Sequence, residues 1–167
     1  MLGLSCGYGP TDIATLELSL WNQSVCDGFL EYPRRKTEAE RLAWLWPETV
    51  DEVNKYLERR PDPISGNENT LFIMHSGKTY DQSSNPISRS FTAARAAAGI
   101  KSGGFYGLRH TLQTQGSNAR DQVALDYVFG HSDGSMAANY RSKISNKRVR
   151  LVGETVRDWF LSGRSHA

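Results

Sequence analysis

At 167 residues, 38% hydrophobic and 23% charged, the chain suits one domain with a buried core. It lacks both the run of roughly eighteen apolar residues a bilayer span requires and a basic-then-apolar leader, so a cytoplasmic protein without a membrane partner is expected. Cys6 and Cys26 stand outside any CxxC pair or Cys/His cluster and argue against a disulfide scaffold or a metal site, while the +2 charge divides unevenly, with 10 basic and 13 acidic side chains in residues 1–100 but 10 and 5 in residues 101–167.

In chain order, Cys6–Pro10 reads as a turn, and Thr11-Asp12 then caps a helix whose apolar stripe is Ile13, Leu16 and Leu20. Val25–Tyr32 and Arg41–Trp46 read as strands joined by the charged hairpin Pro33–Glu40. Pro47 suits the first turn of a helix reaching about Arg60, with Val50, Val53 and Leu57 on one face. Prolines, a glycine and asparagines make Pro61–Asn69 a loop, and Leu71–Met74 is apolar enough for a third strand. The alanine-rich run Pro86–Ala98 predicts a helix closed by Gly99, followed by a loop over Lys101–Gly104. Four more helices are expected: Tyr106–Gln115, Arg120–Phe129, Ser135–Tyr140 and Lys147–Leu161, the last with the stripe Val149, Val152, Val156 and Trp159. The fold class is therefore α+β, mostly helical with a small three-stranded antiparallel sheet.

The most specific signal is Tyr106-Gly107-Leu108-Arg109-His110-Thr111, then Phe129-Gly130-His131, then Tyr140 nine residues after His131. This resembles the signature of the tyrosine recombinase (phage integrase) family, in which an L-R-H-T helix, a G-H turn and a nucleophilic tyrosine recur in that order. The resemblance covers about Gly7 to Phe160 and implies the catalytic fold of that family acting on double-stranded DNA. It makes Tyr140 the nucleophile, Arg109 a bidentate phosphate clamp and His131 a phosphate-side donor. Such chemistry needs no ATP or other cofactor, because a phosphotyrosine conserves the energy of the broken bond, while Arg and His donors stabilise the charge that develops on phosphorus.

Other positions take their expectations from the same resemblance. Lys36 occupies the place of a hairpin lysine that enters the minor groove and protonates the leaving oxygen. Arg34, Arg35, Arg41, Arg141 and Lys143 are expected to contact DNA, and His110 and Asp12 to support the residues on the phosphate. The final helix is expected to join copies into a tetramer on DNA, or to pack on its own domain. Full-length members also carry an N-terminal domain that clamps the other face of the DNA, so the chain reads as one catalytic domain truncated at its N-terminal side.

Two positions depart from the family pattern. The first catalytic arginine belongs to a G-L-R-x-S-E turn, and here Gly9 stands in its place, with Asp12 at the acidic position. Tyr106 replaces the His or Lys three residues before Arg109 and joins the catalytic set as an uncharged donor. Three functions follow: a strand-exchange enzyme, a catalytically weakened DNA-binding homologue acting in recognition or regulation, or a helical interaction domain indifferent to DNA.

Overall fold

The computed structural model describes residues 1–35, 37–80, 85–131 and 144–164. Its elements are α1 (Leu2–Ser5), α2 (Pro10–Ala14), α3 (Leu18–Asp27), β1 (Phe29–Glu31), β2 (Leu42–Trp44), α4 (Pro47–Leu57), α5 (Pro86–Ala97), α6 (Tyr106–Gly116), α7 (Gln122–Phe129) and α8 (Asn146–Arg164), with a 3-10 turn at Ser117–Ala119 between α6 and α7. Proline opens α2, α4 and α5, where its missing N–H has no helical partner to lose.

Strands β1 and β2 pair antiparallel in the register Phe29 with Trp44, Leu30 with Ala43 and Glu31 with Leu42. Side chains alternate across a strand, so this ribbon lies between two apolar clusters. Leu30, Ala43 and Leu45 join Leu2, Tyr8, Leu16, Trp21 and Leu71 on one side. On the other, Leu42, Trp44 and Trp46 meet Leu112, Leu125, Phe129, Val149, Val152 and Val156 from α6, α7 and α8. The ribbon is thereby gripped on both faces, and the loop that connects its strands is held over the end of α7.

Three expectations change. The helix predicted from Thr11 to Leu20 is broken between α2 and α3, because the Leu16 carbonyl accepts from the Leu71 N–H (2.8 Å) and the Leu18 N–H donates to the Asn69 carbonyl (2.7 Å). The strand predicted from Val25 begins only at Phe29, since α3 runs on to Asp27 and ends at Gly28 in the left-handed region. The sheet has two strands among the described residues, not three. Within Leu71–Met74 only Ile73 makes a bridge among the described residues, an isolated one to Thr79, because side chains of α4 and the residues just after it take up the backbone here: Arg60 donates to the carbonyls of Thr70 and Leu71, and the Ile73 N–H donates to the Tyr56 hydroxyl.

The apolar stripe of α8 is buried in its own domain at Val149, Val152 and Val156. It continues through Phe160, whose ring lies 5.9 Å from that of Trp46, while Trp159 is exposed. Among the described residues no helix is long and apolar enough to cross a membrane.

Candidate active site

Arg109 lies on α6 one turn after Tyr106, a spacing that puts both on one face. Its guanidinium donates to the carbonyls of Gly7 (2.6 Å) and Phe129 (3.1 Å) and lies 4.4 Å above the Phe129 ring. Burial, followed by the nearby charges of Arg34 and Arg41, lowers its pKa to about 10, so it stays charged at neutral pH but in a crowd of cations. Two backbone carbonyls thus fix the fork before any ligand arrives.

His131 follows the left-handed Gly130 that ends α7. Its ring stacks on Phe129 (5.5 Å) with Nε2 3.4 Å from the Arg109 guanidinium and Nδ1 3.9 Å from Asp126. Burial first, then Arg109 and Arg34, hold its pKa below the ordinary histidine value, so the free site carries a neutral imidazole at pH 7 that an arriving anion would drive toward protonation. Glycine is required at 130 twice over. The backbone has φ +60, and a Cβ there would meet the Arg34 Cβ at 3.1 Å and the Ala39 carbonyl at 3.5 Å. That close approach presses the β1–β2 connection against the His131 turn.

Asp12 and Arg41 form the floor. The Asp12 carboxylate accepts from the Gly9 N–H (2.8 Å) and from both ends of the Arg41 fork (2.7 and 3.2 Å). Arg41 lies between the rings of Tyr8 (4.3 Å) and Tyr32 (5.3 Å), and its Nε donates to the Tyr32 carbonyl. At 1% exposed, Arg41 is not on the surface where a DNA contact was expected. It is the buried partner of Asp12, and it ties the base of the hairpin to α2.

Above that floor lies a cleft of about 360 Å³ lined by Gly9, Thr11, Asp12, Arg34, Arg35, Tyr106 and Arg109. Asp12 is already paired, so the unneutralised charge facing the cleft is positive. An ideal Cβ on Gly9 would stand 3.3 Å from the Tyr106 hydroxyl and 3.6 Å from Asp12 Oδ2. Tyr106 therefore borders the space that a side chain at position 9 would enter.

The structure brings Arg109, His131, Tyr106, Asp12, Arg34 and Arg35 together at or beside this cleft. His110, expected to support the phosphate residues, is exposed on α6, and its side chain makes no hydrogen bond to the described residues. Lys36, Tyr140, Arg141 and Lys143 lie outside the described residues. Sequence reasoning missed Phe129, which carries both Arg109 and His131 on its ring. Its signal was an aromatic residue immediately before the Gly-His pair. Both cysteines are free, and burial pushes the Cys6 thiol up to about 11.

Residues 2–147 match the model of the phage integrase family. Among solved structures, the chain is similar to the crystal structure of XerA recombinase, with a TM-score of 0.65 and 20% identity over 89% of this chain and 53% of that one. At that identity the likeness is one of fold, and the chain spans about half the length of that recombinase. No curated protein matches the chain significantly.

Proposed function

The chain belongs to the phage integrase family, and on that premise we propose that it is a DNA strand-transferase domain working through a covalent 3′-phosphotyrosine. Tyr140 attacks the scissile phosphorus; a bond forms to the phenolic oxygen as the bond to the 5′ oxygen breaks. The phenolic proton is released, and Lys36 gives a proton to the departing 5′ oxygen. Attack by a second strand's 5′ hydroxyl reverses these events and frees Tyr140. The observation that carries this reading is the convergence of Arg109, His131, Tyr106 and the hairpin arginines on one cationic cleft. Arg109, preoriented by two carbonyls, would grip the non-bridging oxygens.

Arg141 and Lys143, beside Tyr140 in sequence, would hold the DNA backbone near it. Assembly of four copies on DNA is part of the same proposal. The inner face of α8 is already buried, so it would present its exposed Leu151 and Trp159.

Gly9 favours a second reading, a homologue that binds DNA without cutting it. The test uses the chain with a pool of nicked duplexes of randomised sequence, followed by denaturing electrophoresis. A protein–DNA adduct that disappears in Tyr140→Phe supports the enzyme. Tight binding without any adduct sinks it in favour of the second reading.

A further inference from the structure

We propose that Arg34 supplies the cationic phosphate contact that position 9 lacks, so that in this chain the site's second arginine comes from the base of the hairpin and not from the turn before α2. The inference rests on the reading of the cleft as a strand-cleaving site.

Position comes first. Arg34 and Gly9 line the same cleft as Arg109. The Arg34 Cβ sits against Gly130, 3.1 Å from where a Cβ on that glycine would be, so the side chain starts out next to the His131 turn. Its backbone is fixed as well: the N–H donates to the Ala39 carbonyl (2.9 Å), and its own carbonyl accepts from the N–H groups of Thr37 (3.1 Å) and Glu38 (2.7 Å). The side chain therefore starts from a fixed point on the wall of the cleft that it lines.

Availability comes second. Among the described residues no carboxylate pairs with Arg34, and Asp12, the acid in the cleft wall, is occupied by Arg41. The Arg34 charge is felt at both Arg109 and His131, lowering the pKa of each. Arg35 is more exposed and is not among those causes. Arg34, Arg41 and Arg109 gather around the single carboxylate of Asp12, and the surplus of positive charge is relieved when a group bearing more than one negative charge arrives, as a pentavalent phosphorane does.

Proximity comes third. The Tyr106 hydroxyl stands 3.3 Å from where a Cβ on Gly9 would be, so the two departures from the family pattern meet in one corner of the cleft that Arg34 also lines.

The test uses the duplex recovered from the randomised pool, synthesised with either a natural phosphodiester or a neutral methylphosphonate at the cleaved position. Arg34→Ala is expected to slow adduct formation on the phosphodiester by about 10²–10³ and on the methylphosphonate by less than about tenfold, because the oxygen charge it neutralises is gone. Arg34→Gln, which keeps the stem packed against Gly130, should behave the same and stands in if the alanine variant does not fold. Equal slowing on both substrates, or none on either, overturns the inference while leaving the strand-transfer reading intact. Failure of the unmodified protein to form a Tyr140-dependent adduct overturns both.

Discussion

Arg109 has two tasks that a single substitution separates only in part. Truncation to alanine leaves the carbonyls of Gly7 and Phe129 without their donor, and a half-buried acceptor without a partner costs about 1–3 kcal/mol. The same change removes the charged fork from the cleft. Arg109→Ala should therefore form the phosphotyrosine adduct at least about 10²-fold more slowly and also unfold at lower urea, both read on one preparation. His131 gives a pH signature of a different kind. Its folded pKa lies below the unfolded value near 6.5, so the unfolded chain takes up the proton first as pH falls. Stability attributable to this residue is intact above the ordinary histidine value, begins to fall as pH drops through it, and is fully lost below the folded value. Thermal midpoints measured from pH 7.5 to 5.5 should decline less in His131→Asn than in the unmodified chain. Arg109 and His131 could be singled out in the sequence because each sits in a short segment that resembles the family signature, L-R-H-T for one and G-H for the other. Arg41 could not. In the run from Arg34 to Arg41 the arginines look alike, and what buries one of them is Asp12, 29 positions away, together with the rings of Tyr8 and Tyr32.

Among the elements, the β1–β2 hairpin depends most on a single contact. The Arg41–Asp12 pair is almost fully enclosed on the arginine side, and removing one member of such a pair strands the other charge, at a cost of about 3–5 kcal/mol. Asp12→Ala should lower the melting temperature by roughly 10 °C in a domain of this size and loosen the hairpin that carries Arg34. Helix α8 permits a contrast between neighbouring turns. Val156 is fully buried and Trp159 is exposed, so Val156→Ala should cost about 2 kcal/mol, while Trp159→Ala should change stability by no more than about 0.5 kcal/mol. Urea denaturation of the two variants measures both. Helices α4 and α5, opened by proline, and Val149, Val152 and Val156 on α8 could be read in advance, since each is encoded within a few turns of chain. Pro10 reads as part of the turn and Trp159 as part of the apolar stripe, but the structure places Pro10 in the first turn of α2 and exposes Trp159. Leu71–Met74 could not be read in advance. Its residues favour a strand, but the groups that satisfy its backbone belong to Tyr56 and Arg60, and no local pattern announces them.

On the scale of the whole molecule, the cationic cleft should show itself in the salt dependence of DNA binding. If Arg34, Arg35 and Arg109 each neutralise one phosphate, the logarithm of the binding constant should fall against the logarithm of salt with a slope of about −3 or steeper, and Arg35→Ala should make that slope shallower by about 1. Fluorescence anisotropy with a short duplex at several salt concentrations measures it, and a flat profile would remove DNA from consideration. The cleft itself is assembled from distant parts of the chain: the turn before α2, the hairpin, and the ends of α6 and α7. One hydrogen bond, from Arg109 to the Gly7 carbonyl, joins residues 102 positions apart. Closing a loop of that length gains nothing until both ends are in place. A nascent chain emerging from the ribosome therefore holds no assembled cleft until α7 and the His131 turn have followed the hairpin out of the exit tunnel.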